Sequence, residues 1–309
     1  MSEHQRIFYL DALKAFAMML VVLGHLSYFS PFQDTIYGPV VGVFHMPLFM
    51  AISGFFTNPE GPHLHKRLKM LIPFFIFGLG WSLLRHFTIL QFLNSEPKLG
   101  YWFLYVLVVY CWLIALCDRM PIRLEYGMLI IQMFLMGLHF ACHHTLVAST
   151  LSTDHMFQLW PFFCLGILLR RGLLKRLLAK EKIVYAISLL MVVAVQMGGG
   201  LCSSETIRGY LNDFCAVFIV TVLFMLFSKM EKSNINNQVV SLIGKSTLQI
   251  YVLHYFILYL TKVWAGQNIE LSMPLNIVLC PIYSVVICLV CVLISILLHK
   301  VHFGWVFGR

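Results

Sequence analysis

The stretch Asp11-Ala-Leu-Lys-Ala-Phe-Ala-Met-Met-Leu-Val-Val-Leu-Gly-His25 decides how the chain is read. From Ala15 to Gly24 it carries no charge and is apolar enough to lie in a bilayer, yet Asp11, Lys14 and His25 bracket that run. Lys14 and His25 stand 11 residues apart. On an α-helix that is three turns plus about 20°, so both face one side, separated by roughly 16 Å along the axis. Asp11 lies one turn before Lys14 on the same face. A charge at the bilayer centre costs on the order of 3 kcal/mol, and groups kept there usually face a polar interior and carry function. Two plainer readings stand beside that one. Lys14 snorkels to the headgroups with Asp11 as its partner, and His25 is a neutral imidazole hydrogen-bonded within a bundle.

Composition sets the frame for this stretch. Of 309 residues, 60% are hydrophobic and 11% charged, with mean hydropathy +0.84. A soluble domain carries about 25% charged residues. The chain therefore reads as a polytopic membrane protein, and soluble fold classes are set aside. No A-x-A-like site follows the first apolar run, so it reads as a span and not a cleaved leader. The nine cysteines are odd in number and most fall inside apolar runs, which argues against a zinc framework or a disulfide scaffold. A Cys142–Cys202 bridge near one membrane face is the one pairing considered.

Apolar runs of about 20 residues predict ten helices, at 8–29, 38–57, 69–92, 100–117, 122–141, 153–170, 182–200, 208–228, 245–264 and 274–298. Turn chemistry separates them, as at Ser30-Pro31, Asn58-Pro59-Glu60-Gly61-Pro62 and Gly198-Gly199-Gly200. With a cytoplasmic N-terminus, the inner segments hold Arg6, Lys66, Arg67, Lys69, Arg119, Arg123, Arg170, Arg171, Lys175, Arg176, Lys180, Lys182, Lys229, Lys232, Lys245, Lys300 and Arg309. The outer segments hold only Lys98 and Arg208, while Lys14, Arg85 and Lys262 fall within spans. This asymmetry follows the positive-inside rule. The net charge of +9 is then a topology signal and gives no reason to expect nucleic-acid binding. The expected fold is an all-α polytopic membrane protein of about ten transmembrane helices. It forms a single domain over 1–309, with both termini cytoplasmic.

Further polar groups enter the spans. The second reads Phe44-His-Met-Pro-Leu-Phe-Met-Ala-Ile-Ser-Gly54. Pro47 is expected to kink it and free a carbonyl, which a membrane tolerates where neighbours satisfy the freed group. His45 falls at a depth similar to His25, so the two imidazoles beside a broken helix suggest a polar cavity. A packing kink with a satisfied histidine is the plainer account, and Ser53-Gly54 also reads as a small-residue helix contact. The ninth span, Gly244-Lys-Ser-Thr-Leu-Gln-Ile-Tyr-Val-Leu-His254, puts His254 near mid-membrane. Gly244-Lys245-Ser246 is no phosphate loop, because Val239 stands where that loop needs glycine. His139, Cys142, His143 and His144 have metal-ligating side chains. They lack an obvious second pair, so no metal site is assigned.

These motifs resemble the acyltransferase 3 family of integral-membrane acyltransferases. Asp11, Lys14 and His25 match its first-helix signature of a basic residue, ten residues and histidine. Phe44, Pro47, Phe49, Ser53 and Gly54 match F-x-x-P-x-F…S-G. Lys66-Arg67-Leu-Lys69 before Pro73, the aromatic Tyr101-Trp102-Phe103, and Gly244…Ser246…Tyr251…His254 fit as well. Many members carry Arg where this chain has Lys14, and lysine cannot make a bidentate fork to phosphate. Lys14 together with His45 looks more like the fucose 4-O-acetylase-like branch.

The resemblance implies transfer of an acetyl group from acetyl-CoA to a hydroxyl of an exported or surface glycan, in a bacterial inner membrane and with no tightly bound cofactor. Joined to the spacing, it suggests roles for the residues. Lys14, Lys66, Arg67 and Lys69 would hold the anionic donor at the inner mouth. His25 would act as general base or transient acyl carrier, with Ser53 or His45 stabilising the oxyanion. Asp11, Phe44, Pro47, Trp102 and His254 would bind substrate or support the site. Expected partners are acetyl-CoA, a glycan acceptor and membrane lipid, and no oligomeric state is assigned. The competing reading is a glycolipid or polysaccharide transporter or flippase, which shares broken helices and buried ionisable groups but would need inverted-repeat symmetry that is not visible. A membrane scaffold has little use for these intramembrane residues.

Overall fold

Helix α1 (Phe8–Phe29) is the predicted first span without revision. Leu10, Leu13, Ala17, Met18, Val21, Val22 and Leu26 are all buried and lie all round its surface. A helix apolar on every side belongs in the middle of a bundle. The computed structural model describes residues 8–32, 35–58, 67–95, 97–200, 204–230 and 237–308. Its described residues are helical apart from turns and one isolated backbone pairing, Phe32 with Ile269.

Two compact units divide the chain, Met1–Ile52 with Leu168–Ile294, and Ser53–Ile167 with Ser295–Arg309. In the first, α1 packs against α2 (Tyr37–Gly42), α12 (Glu205–Lys229), α13 (Gln238–Lys245) and α14 (Thr247–Ala265). Gly244 permits a close approach of α13 to α1, since a Cβ there would clash with the Asp11 carbonyl oxygen. Helix α15 (Met273–Lys300) is tied to α1 by the Ser284 hydroxyl, which donates to the Met19 carbonyl at 2.8 Å. Helix α11 (Glu181–Gly200) leaves Ile183, Ile187, Leu189, Leu190 and Met197 exposed, the surface a lipid phase would cover.

The second unit contains α4 (Leu71–Leu84), α5 (Ile89–Asn94), α6 (Trp102–Arg119), α7 (Leu124–Cys142), α8 (Leu146–Leu151) and nearly all of α9 (Thr153–Leu168). Gly78 lets the Phe92 ring of α5 lie on α4, and the Trp160 indole N–H donates to the Met128 carbonyl at 3.0 Å, joining α9 to α7. The Gly308 backbone sits against Lys69, and Phe307 stacks on Phe77 at 5.5 Å between centroids.

The prolines explain several tertiary contacts. A proline inside a helix leaves the carbonyl four residues earlier without its N–H partner. Pro281 does this to Ile277, and the Tyr37 hydroxyl donates to that carbonyl at 2.8 Å. Pro161 does it to Phe157, and the Gln132 amide donates there at 3.4 Å. In a membrane interior each such carbonyl needs a protein partner.

Among the described residues seven helices are long and apolar enough to cross a membrane: Phe8–Phe29, Tyr37–Phe55, Trp102–Arg119, Leu124–Cys142, Glu181–Gly198, Thr206–Lys229 and Met273–Lys300. The expected spans at 69–92, 153–170 and 245–264 are not among these seven. The first is cut after Leu84 by a left-handed His86, φ 60°, and Thr88 then caps α5 in a T-x-x-Q capping box. In the second, α9 is 16 residues long and passes into a π-turn at Leu169–Leu173. In the third, α14 keeps 19 residues, and it is Gln249, His254 and Lys262 that make it less apolar than the seven.

The expected kink at Pro47 also moves. The second span breaks at Val43-Phe44, between α2 and α3 (His45–Phe55), and Pro47 falls in the first turn of α3. A proline ring clashes with the carbonyl four residues earlier, here Val43, while the first turn of a new helix accepts proline readily. Among the described cysteines none is bridged, and Cys202 of the considered pair lies outside the described residues.

Candidate active site

Helix α1 carries Lys14 and His25 on one continuous helix, as the spacing predicts. Near the N-terminal end of α1 the Lys14 ammonium pairs with the Asp11 carboxylate at 3.4 Å, and Asp11 is only 3% exposed. The snorkelling partner considered for Lys14 is therefore present. Three turns on, His25 meets helix α14. Its ring stacks on His254 with centroids 5.4 Å apart and planes at 28°. The Tyr255 hydroxyl lies 3.1 Å from His25 Nε2. Tyr255 also packs edge-on to Phe29, 5.3 Å between centroids.

The tautomers follow from the hydrogen bonds. His254 Nδ1 faces the carbonyls of Tyr251 at 2.8 Å and Ile250 at 3.1 Å. Carbonyl oxygens only accept, so Nδ1 carries the proton and Nε2 presents a lone pair. His254 is fully buried, and that Nε2 has no hydrogen-bond partner among the described residues. Leaving a buried polar atom unsatisfied costs about 1–3 kcal/mol, which a bound hydroxyl would recover. His45 obeys the same logic. Its Nδ1 donates to the Val41 carbonyl at 2.8 Å, a group exposed by the break between α2 and α3, so its Nε2 is also the lone-pair nitrogen. His45 lies within electrostatic reach of His25. The first unit thus gathers three imidazoles and a phenol from α1, α3 and α14.

The remaining predicted residues are placed as follows. Phe44 is half-buried at the break, with its carbonyl accepting from the Leu48 N–H at 2.8 Å, and Pro47 is buried. Ser53 belongs to the second unit, half-buried in α3, where its carbonyl accepts the Thr57 hydroxyl at 2.8 Å. Beside it Gly54 lies against the Phe163 backbone of α9, so the glycine of this motif serves close helix approach. Arg67 is half-buried and Lys69 exposed ahead of α4, while Lys66 lies outside the described residues. Trp102, 8% exposed, has its ring 4.1 Å from that of His155. The structure brings together His25, His45 and His254 in one unit and puts Ser53, Arg67, Lys69 and Trp102 in the other. Tyr255 is the residue the motifs missed. Its only signal was adjacency to His254 in Tyr-Val-Leu-His-Tyr255, where a tyrosine reads as core.

The arrangement offers buried lone-pair nitrogens beside a phenol, a set suited to moving a hydroxyl proton. The acyltransferase 3 model, an acyltransferase domain, matches residues 7–299 and so takes in all of these groups. No curated protein and no solved structure matches the chain. With nearly its whole length inside the family model and seven helices able to span a bilayer, the chain belongs to the acyltransferase 3 family and is an integral-membrane acyltransferase.

Proposed function

We propose that the chain moves an acetyl group from acetyl-CoA to a hydroxyl of a surface or exported glycan in a bacterial inner membrane. On this reading it works as one domain with about ten spans and cytoplasmic termini, and Lys14 with His45 places it in the fucose 4-O-acetylase-like branch. The observation that carries the chemistry is the stacked His25–His254 pair, with a buried, unpartnered Nε2 on His254.

In the direct route the acceptor hydroxyl gives its proton to His25 as its oxygen attacks the thioester carbonyl carbon. The carbon–sulfur bond then breaks, and the departing thiolate takes the proton back from the imidazolium. In the covalent route His25 attacks the thioester carbonyl and expels the thiolate; the hydroxyl then attacks the acyl-imidazole, the carbon–nitrogen bond breaks, and the hydroxyl proton goes to the thiolate. In both, His254 Nε2 accepts a hydrogen bond from a neighbouring hydroxyl of the glycan, and the Tyr255 phenol oxygen accepts from His25 Nε2–H, which holds the ring and leaves Nδ1 as the base. His45 and Ser53 serve the developing oxyanion as hydrogen-bond donors, His45 in its protonated form. Lys14, Lys66, Arg67 and Lys69 hold the donor phosphates.

The test is acetylation of cell-surface glycans, read by mass spectrometry, in cells expressing wild type or the single variants His25→Ala and His254→Ala. Both variants, correctly inserted, are expected to lose at least about 100-fold of the acetylation rate. Near-normal acetylation by either removes that residue from the proposal.

A further inference from the structure

We propose that His139, His143 and Asp154 form a binding site for a first-row divalent cation of the zinc class, which clamps the end of α7 to the start of α9. His139 lies in the last turn of α7 and His143 follows its end, with ring centroids 5.1 Å apart. Asp154 is in the first turn of α9. The chain returns between them through α8, whose flanking residues His144 and Ser152 both take left-handed backbone, φ 63° and 55°. Such backbone is rare outside glycine and marks a connection held in a demanding geometry. From the amino-acid sequence the histidine cluster lacked a second pair of ligands, and the fold supplies a carboxylate from the next long helix.

The ligand atoms lie within 4.8 Å of one another, and His139 Nδ1 is 2.7 Å from Asp154 Oδ1. Two ligands on one zinc ion sit roughly 3.0–3.4 Å apart, given metal–ligand bonds near 2.1 Å. The observed separations bracket that value. The short pair is informative for a second reason. His139 is 6% exposed, and its Nδ1 and the Asp154 Oδ1 are both buried atoms that make no hydrogen bond among the described residues. An ion pair at 2.7 Å would ordinarily align an N–H with the carboxylate. Buried acceptor atoms that converge without sharing a proton suit a common cation better.

Two imidazoles with one carboxylate favour zinc, cobalt or nickel over magnesium or calcium, which take oxygen ligands. His143 is exposed, leaving the fourth position to water. The site has a mechanical consequence. His155, next to Asp154, lies against the Trp102 ring, and the Tyr110 hydroxyl donates to the Met156 carbonyl at 2.7 Å. Holding Asp154 therefore fixes the start of α9 on α6. The inference is independent of the acyl-transfer chemistry.

The experiment uses the full chain purified in detergent, stripped with chelator and then offered zinc. Metal content by mass spectrometry is expected to reach one zinc per chain. At a hundredfold excess over its dissociation constant, zinc is expected to raise the melting temperature by about 4 °C. His143→Ala, at an exposed position, and Asp154→Asn should bind zinc at least tenfold more weakly and lose the thermal shift, while His144→Ala keeps both. No zinc uptake by wild type overturns the proposal, as does uptake that neither His143→Ala nor Asp154→Asn weakens. An ordinary His139–Asp154 ion pair predicts no zinc shift in any variant.

Discussion

Replacing Tyr255 by Phe separates a positioning role from a chemical one. The substitution deletes a single hydroxyl. The ring remains, so its edge-on contact with Phe29 at 5.3 Å and its contact with the His25 ring at 5.0 Å persist, and folding is expected to be unchanged. What is lost is one hydrogen bond of 3.1 Å to His25 Nε2. A neutral hydrogen bond of that kind is worth about 0.5–1.5 kcal/mol. If all of it serves to hold the imidazole in its reacting orientation, the rate falls by roughly 2- to 13-fold. Loss of the base itself costs about 100-fold or more. The assay is initial-rate acetylation by membranes carrying equal amounts of inserted protein, with His25→Ala measured in parallel. A Tyr255→Phe rate equal to wild type refutes the claim that the phenol holds His25. A loss as deep as that of His25→Ala also refutes it, because the phenol would then take part in the chemistry.

Other substitutions test the packing that presents this site. Gly244→Ala forces a Cβ into the Asp11 carbonyl and should destabilise the protein by about 1–3 kcal/mol, seen as a lower melting temperature in detergent. Tyr37→Phe strips the Ile277 carbonyl of its donor and should cost about 0.6–1.7 kcal/mol by chemical unfolding in mixed micelles. Gln132→Leu should cost a similar amount through the Phe157 carbonyl, and no measurable loss in either variant would disprove the proline-rescue account.

The first helix was legible to the residue because its apolar run is long and bounded by polar groups that share one face. The second was legible as a span, but not at its break. A proline acts on the carbonyl four residues upstream, so the rupture appears at Val43-Phe44 and not at Pro47. The third apolar run was over-read, although Thr88 and Gln91 spell a capping box that announces a new helix start. That Lys14 and His25 share one continuous helix was legible from spacing. The contact of His25 with Tyr255 joins residues 230 apart, and no local periodicity encodes it. Asp154 escaped for a related reason, since a ligand from a neighbouring helix has no fixed offset from His139 and His143.

The central claim is that acetyl transfer runs through His25. Its most direct test is mass spectrometry of glycan incubated with isotope-labelled acetyl-CoA and the purified, reconstituted protein. The account predicts that glycan gains labelled acetyl units with wild type and gains none above background with His25→Ala. Labelled product formed at the wild-type rate by inserted His25→Ala would contradict it.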